Sequence, residues 1–224
     1  MVELDPLWLT LKLAFLTTLI LFIIAIPLAA WLSHKKSVFK TIVEVIVSMP
    51  LVLPPSVIGF YMLLAFSPGN ALGALLEKWF DLRLVFSFPG LLIASVIYSL
   101  PFMVHPIQSG LFSLPPSLKE ASYSLGKTKQ QTLFRVLLPN VKSSVLTGLV
   151  LTFAHTVGEF GVVLMIGGNI PGKTRTASVA VYDEVEAFNY QHANIYAAIL
   201  LILSFVILLL MYLYNRKMAQ VKIF

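Results

Sequence analysis

Long apolar stretches separated by short polar ones run the whole length of the chain, and this pattern predicts its architecture. A helix crosses the hydrocarbon core of a bilayer with about 20 mostly apolar residues. Five segments reach that length, and we predict membrane-spanning helices over about 7–33, 43–66, 88–112, 139–167 and 194–214. Residues 113–138 are predicted to form a polar loop, and residues 215–224 a short tail. The predicted fold class is an all-α integral membrane protein with five transmembrane helices in one transmembrane domain over 7–214.

The composition supports a membrane protein and excludes several other classes. Hydrophobic residues make up 58% of the chain and charged residues 12%, whereas soluble domains carry about 25% charged residues. The chain has no cysteine, so disulfides and thiolate metal sites are excluded. Its four histidines are scattered along the sequence and predict no metal site.

The distribution of basic residues predicts the orientation in the membrane, because lysine and arginine are enriched in cytoplasmic loops. One set of loops carries eleven of them: Lys35, Lys36, Lys40, Lys119, Lys127, Lys129, Arg135, Lys142, Arg216, Lys217 and Lys222. The opposite loops carry four: Lys78, Arg83, Lys173 and Arg175. We therefore expect a multi-pass protein of the cell membrane, with the N-terminus outside and the loop 113–138 and C-terminus in the cytoplasm. This bias explains the basic charge without a nucleic-acid partner.

Several prolines lie inside the predicted spans instead of at their ends. Pro50, Pro54 and Pro55 cluster in the second span, and each removes a backbone hydrogen bond and can kink a helix. Broken helices in membranes usually face protein or a cavity, and transporters place them near the substrate path. The cluster therefore predicts path-lining residues. The alternative is that these prolines are merely tolerated, as prolines often are in membrane helices.

The polar loop 113–138 contains signals for two short helices joined by a turn. Ser117–Glu120 has the S-x-x-E spacing of a capping box, and Thr128–Gln131 has a second. Gly126 lies between them and fits a left-handed helix cap. Pro139 is expected to open the next span. Local physics alone therefore leaves two roles for Glu120, which are capping of Ser117 and contact with a partner.

The same loop resembles the E-A-A loop of ABC-importer permeases through Glu120, Ala121, Ser122, Leu125 and Gly126, followed by a leucine–proline pair at 138–139. The family usually has alanine where this chain has Ser122. The resemblance implies that the loop is a coupling helix, which docks onto a separate ATPase subunit. It also implies the type-1 ABC importer permease fold.

Two further segments resemble the molybdate permease subfamily of those transporters. Met49–Gly59 looks like its L-P-L-V-L-P-P-x-V-x-G segment, while Gly158–Gly161 and Asn169–Thr176 look like its G-E-F-G and N-I-P-G-x-T-x-T pattern. His155 departs from the arginine that relatives often have. Sulfate permeases share G-E-F-G and are the near neighbour, but the second pattern favours molybdate.

Residues 167–174 also match the text of a nucleotide-binding P-loop, G-x-x-x-x-G-K-[ST]. That motif needs a preceding strand, a following helix and an acidic residue for Mg²⁺. Here a predicted membrane span precedes it, and the predicted topology places it outside the cell. We therefore expect no nucleotide site in this chain.

Glu159 lies in the fourth predicted span, where an ionisable residue is costly and is a functional candidate by default. A negative charge would repel an oxyanion, so we expect a gate or dimer interface formed by His155, Gly158, Glu159, Phe160 and Gly161. The nearest candidate partner for the carboxylate is His155, one turn earlier, with Lys173 or Arg175 as others. Plain solvation at the membrane interface is the alternative.

The resemblance implies a homodimer that works with two cytoplasmic ATPase subunits and an extracytoplasmic oxyanion-binding protein. ATP and Mg would be used by the ATPase partner, so this chain is expected to be no enzyme and to hold no cofactor. The substrate implied is molybdate, with sulfate, tungstate or another oxyanion as alternatives. An ATPase-independent channel or carrier would have no use for the coupling loop. A membrane-embedded enzyme would need a cluster of acids, bases or metal ligands, and only Glu159 and two histidines were recognised in the spans.

Overall fold

The computed structural model describes residues 3–33 and 37–220, with side chains through 217. The described ranges form helices and connecting turns without a strand. The helices are α1 Asp5–Leu32, α2 Val38–Val52, α3 Pro55–Phe66, α4 Ala71–Phe80, α5 Phe88–Phe112, α6 Pro116–Ser124, α7 Lys129–Thr132, α8 Leu138–Asn140, α9 Lys142–Gly158, α10 Gly161–Gly167, α11 Ala177–Glu186 and α12 Tyr190–Gln220. A π-helical segment, Leu133–Leu137, joins α7 to α8.

Three of these helices, α1, α5 and α12, are long and apolar enough to cross a membrane by themselves. Two further candidates are bent pairs, namely α2 with α3 and Lys129–Asn140 with α9. Counting each pair as one span gives five. The predicted all-α membrane fold is thus confirmed, but two of its five predicted spans are not continuous helices.

The break in the second span follows from its prolines. The two helices meet at 114°, and Leu53 and Pro54 between them are extended, with ψ of 139° and 137°. A residue that precedes proline is disfavoured in the helical region, and both of these residues precede one. The prediction of one helix over 43–66 is therefore wrong at this point. Pro50, in contrast, lies buried inside α2 without ending it.

The fourth predicted span is interrupted twice. Val141, with φ −114° and ψ 24°, separates α8 from α9, and the two segments meet at 81°. Pro139 therefore lies in α8 and does not open the span as predicted. At the other end α9 stops at Gly158, and Glu159 is extended, with ψ 129°. Glu159 thus lies at a break between two helices and not inside one.

The core is formed mainly by α1, α5 and α9. One buried cluster contains Leu21 and Ala25 of α1 with Met103 and Ile107 of α5, and a second contains residues of α1, α3, α5 and α10. Small residues let membrane helices approach closely, and a Cβ on Gly148 of α9 would lie 3.1 Å from the Met103 carbonyl oxygen. Consequently α5 is held between α1 and α9.

The last helix lies at the edge of this core. Only 11% of the apolar window of α12 is buried within the chain, so most of its surface is available to lipid or to another subunit. The helix continues to Gln220. Residues 215–220 therefore extend α12 instead of forming a separate tail, and the rest of the predicted tail, 221–224, lies outside the described residues.

Candidate functional site

The polar loop folds into a hairpin of α6 and α7, residues 116–132, which is called the coupling hairpin here after the role that the sequence resemblance implies. The predicted capping box at Ser117–Glu120 is wrong. Pro115 is the extended N-cap residue of α6, no side chain caps the helix, and Ser117 lies in its first turn. Proline at the first helical position presets the backbone, so Pro116 begins the helix one residue before the serine could cap it. The Glu120 side chain is exposed and is not used by the helix start.

Gly126 makes the turn of the coupling hairpin, as predicted. Its φ is +74°, in the left-handed region that favours glycine. Its N–H donates to the Tyr123 carbonyl at 2.9 Å, and the Lys127 N–H donates to the Ser122 carbonyl at 3.2 Å. A Cβ at Gly126 would meet nothing within 4 Å. The requirement for glycine is therefore one of backbone conformation alone.

Two sets of side-chain hydrogen bonds hold the second half of the hairpin. The second predicted capping box is confirmed, since the Gln131 N–H donates to the Thr128 hydroxyl at 3.2 Å and the Thr128 N–H donates to the Gln131 side chain at 3.1 Å. The buried hydroxyls of Ser122 and Thr132 are 2.9 Å apart. This bond links α6 to α7, so a small polar residue at Ser122 suits the site.

The outer surface of the hairpin is a mixture of apolar and charged groups. Leu125 is 78% exposed and Phe134, just after α7, is 58% exposed. Glu120 and Ala121 of α6 are also exposed. Exposed large apolar side chains on a polar loop make this surface a candidate contact site for another protein.

The second predicted site centres on the break at Glu159. This residue is only 7% exposed. Its carboxylate accepts a hydrogen bond from the Val162 N–H at 2.8 Å, and its backbone carbonyl accepts one from the Ser178 hydroxyl of α11. Carboxylates stabilise helix N-termini by satisfying free N–H groups. Glu159 therefore satisfies a free N–H group at the start of α10.

His155 does not pair with Glu159, so that prediction is wrong. The imidazole stacks on Phe102 of α5, with ring centroids 3.9 Å apart, and its Nδ1 lies 3.1 Å from the Ser99 hydroxyl. His155 thus ties α9 to α5. The other proposed partner, Arg175, forms an ion pair with Asp183 at 2.8 Å instead.

The two chain breaks meet in space. A Cβ on Gly161 would lie 2.6 Å from the Cβ of Pro55. One turn further along, a Cβ on Gly59 would lie 2.8 Å from Met165 Cβ and 3.2 Å from Val162 Cα. The proline segment and the G-E-F-G segment, which were predicted separately, are therefore one packed unit of α3 and α10.

The loop with the P-loop text is a structural turn. The buried Thr174 hydroxyl donates to the Gly167 carbonyl at 2.7 Å and accepts from the Ile170 N–H at 2.9 Å. In a P-loop the corresponding hydroxyl contacts Mg²⁺, whereas here both of its bonds lie within the loop. Asn169 then bridges Arg175, at 2.9 Å, and Asp183 of α11, at 2.7 Å.

One polar cluster was missed by the sequence reasoning. The Gln108 side chain of α5 donates to Glu44 of α2 at 2.9 Å, and Ser48 lies 3.1 Å from His105 Nε2. Glu44 and His105 line a cavity of about 310 Å³. Glu44 lies inside the predicted second span, 43–66, and an ionisable residue there is itself a signal that the sequence reasoning did not use. Within the described residues, no group of three potential metal ligands occurs.

The comparisons with known proteins agree with this architecture. The family model for a binding-protein-dependent transport system inner membrane component matches residues 11–220. The molybdenum transport system permease protein ModB of Azotobacter vinelandii is 42% identical over 97% of this chain and 96% of its own. The sulfate transport system permease protein CysT of a Synechocystis strain is 37% identical over 76% of this chain and 59% of its own.

A solved structure shows the same fold. The crystal structure of a bacterial ABC transporter involved in the import of the acidic polysaccharide alginate contains a chain with a TM-score of 0.78 to this one. It is 19% identical, and the match covers 96% of this chain and 79% of that chain, so the likeness concerns the fold alone. The chain belongs to the family of inner-membrane components of binding-protein-dependent transport systems.

Proposed function

We propose that this chain is the permease subunit of an ATP-driven importer that moves molybdate inward by alternating access. The assignment of molybdate as the substrate rests on one observation, the 42% identity to a molybdenum permease over 97% of the chain. Sulfate is the second candidate, because a sulfate permease is 37% identical over 76% of the chain.

The proposed assembly contains two copies of this chain, two cytoplasmic ATPase subunits and an extracytoplasmic oxyanion-binding protein. The family description supports the binding protein, and the exposed Leu125 and Glu120 support docking of an ATPase. ATP and Mg are used by that partner, and this chain needs no cofactor of its own. The N-terminus lies outside and the coupling hairpin lies in the cytoplasm.

The connection between the coupling hairpin and the core helices supplies a route by which ATP hydrolysis is coupled to transport. The hairpin is held by the Ser122–Thr132 bond, and its second arm continues through α8 to α9. Helix α9 packs on α5, and Glu159 lies at its far end. A movement imposed on the hairpin by ATP hydrolysis is thereby transmitted along α9 to the break at Glu159.

The gate is proposed at the packed unit of α3 and α10. Glu159 and Gly161 set the start of α10, and Gly161 contacts Pro55. A change in the angle of α9 therefore moves α10 and α3 together. Pro50, Pro54 and Pro55 are proposed to line the path, while His155, Gly158 and Phe160 belong to the gate or dimer interface.

The test is uptake into vesicles that contain the permease with its ATPase, supplied with binding protein. We expect uptake of labelled molybdate that requires ATP, and weaker uptake of labelled sulfate. A complex whose ATPase is catalytically inactive is the control. Preferential sulfate uptake would reassign the substrate, and uptake without an active ATPase would remove the importer proposal.

A further inference from the structure

A basic cavity lies where the coupling hairpin meets the ends of α1 and α2. It has a volume of about 330 Å³, and an adjoining cavity of about 640 Å³ shares Lys40 and Lys119 with it. Three lysines from three elements line the first cavity: Lys40 of α2, Lys119 of α6 and Lys129 of α7. Lys119 and Lys129 belong to the coupling hairpin, but neither was assigned to its exposed docking surface. None of the three lysines belongs to the proposed gate. The cavity therefore requires its own explanation.

Among the described residues, none of the three ammonium groups has an acidic side chain within ion-pair distance. Burial lowers the pKa of Lys119, and the charges of Lys129 and Lys40 lower it further. Neighbouring like charges disfavour one another's charged forms. An anion bound between them would relieve this repulsion.

The wall of the cavity is amphipathic. Lys40 Nζ lies 5.0 Å from the ring centroid of Trp31 and donates to the Trp31 backbone carbonyl. The remaining wall includes Leu111, Leu133 and Leu137. Tryptophan is enriched at the membrane–water interface. The lysines and the apolar wall together match a molecule with an anionic head and an apolar body.

We propose that this cavity binds the phosphate headgroup of an anionic phospholipid from the cytoplasmic leaflet, with the start of its acyl chains against the leucine wall. The proposal rests on the orientation given under the proposed function. Basic pockets beside membrane helices on the cytoplasmic side bind such headgroups. Free phosphate has the same tetrahedral oxyanion chemistry, but it gains nothing from the apolar wall. A bound lipid would bridge α1 and α2 to the coupling hairpin and stabilise its position.

The experiment measures lipids retained by the purified full-length permease. The protein is equilibrated with equal amounts of phosphatidylglycerol and phosphatidylcholine in detergent and examined by native mass spectrometry. We expect selective retention of phosphatidylglycerol. Replacing Lys40, Lys119 and Lys129 by glutamine should weaken it about 100-fold, since each lysine near an anionic surface contributes about 5-fold. Replacement of all three by arginine should preserve it.

The matched control removes the same charge elsewhere, by replacing Lys78, Lys127 and Lys173 with glutamine, and should leave retention unchanged. If the triple variant does not fold, the single variant Lys119→Gln should show the loss of about 5-fold. Equal retention of both lipids, or equal loss in the control, would overturn the proposal.

Two further arms separate the lipid from other occupants. Inorganic phosphate at millimolar concentration should not displace phosphatidylglycerol, and displacement would show that the site takes a free oxyanion instead. Added ATPase should not displace it either, and release of lipid on complex formation would assign the lysines to the ATPase contact. These measurements involve no transport, so they remain informative if the imported substrate is not molybdate.

Discussion

Gly161 lies directly against Pro55, so that a Cβ on the glycine would fall 2.6 Å from the Cβ of the proline. The two residues are 106 positions apart in the chain (161 − 55), and each begins a helix that follows a break. The contact therefore joins the break after α2 to the break after α9. An irregular backbone stretch within a membrane must be supported by other parts of the protein. The contact gives each break that support and joins the two segments into one unit.

The first prediction tests this contact with Gly161→Ala. The added methyl group must displace Pro55. The backbone of Pro55 is restricted by its own pyrrolidine ring and by the helix α3 that it begins. We expect a loss of stability of about 1–3 kcal/mol, as for overpacking elsewhere, measured by unfolding of the purified protein in detergent. Gly69→Ala is the control, because a Cβ there would approach only the Ser67 hydroxyl, at 3.9 Å. An equal effect of both substitutions would show that the close approach is unimportant.

The second prediction concerns Glu120 and the ATPase. Glu120→Lys reverses a charge on the exposed face of the coupling hairpin, so we expect a folded permease with reduced stimulated ATP hydrolysis and reduced uptake. The two activities should fall together because both depend on docking. The control is Asp5→Lys, the same reversal at an exposed position at the start of α1. Normal uptake by Glu120→Lys would withdraw this residue from the docking surface.

The third prediction concerns the turn at Gly126. Any other residue must adopt φ near +74°, at a cost of roughly 1–2 kcal/mol. Gly126→Val should weaken association with the ATPase, whereas Gly126→Asn should do so less, because asparagine tolerates this region. Ser124→Val is the matched control on the same hairpin. Association can be measured by co-purification, and equal behaviour of the valine variants would contradict the assigned turn.

The fourth prediction separates a structural loop from a nucleotide site. Thr174→Val removes the hydroxyl that bonds both Gly167 and Ile170, and we expect a loss of about 1–3 kcal/mol in stability. Lys173→Ala should leave stability and nucleotide binding by the complex unchanged, because the Lys173 side chain is exposed. Labelling of this chain by a photoreactive ATP analogue, abolished by Lys173→Ala, would restore the nucleotide site.

Local signals were sufficient for several features of the fold. Helices α1, α5 and α12 follow from continuous apolar runs, because crossing a bilayer depends mainly on length and hydropathy. The turn at Gly126 and the capping box at Thr128 follow from residues next to them in sequence. The break at Leu53 could be anticipated from Pro54 and Pro55, although its angle of 114° could not.

The break at Glu159 had no comparable local signal. No proline lies near it, and the apolar run resumes after Gly158, Glu159 and Gly161 and continues to Gly167. It depends on contacts with distant residues, namely the Ser178 hydroxyl and the ring of Pro55. The same limit explains the wrong pairing of His155, since spacing places it one turn from Glu159 but cannot show that Phe102 and Ser99 of α5 receive its ring. The partners of such residues are determined by contacts between helices, and these contacts cannot be predicted from the helical periodicity of one segment.

The last prediction concerns the carboxylate of Glu159, which has both a structural and a proposed gating role. Its oxygen accepts the Val162 N–H bond, and a glutamine side chain can accept the same bond without the charge. Glu159→Gln should therefore fold and assemble, while Glu159→Ala should lose about 1 kcal/mol of stability with the cap. If the charge at the break controls the gate, Glu159→Gln should also change the resting ATP hydrolysis of the complex or its dependence on the binding protein.

The comparison of these two variants separates capping from gating. A purely structural carboxylate predicts normal coupling in Glu159→Gln and a defect only in Glu159→Ala. A gating carboxylate predicts altered resting hydrolysis in both, because both lose the charge. Glu186→Gln, at an exposed position on α11, controls for charge removal and should behave as the wild type. Loss of oxyanion affinity in Glu159→Gln with unchanged resting hydrolysis would instead move Glu159 from the gate into the substrate site, against the expected repulsion between a carboxylate and an anion.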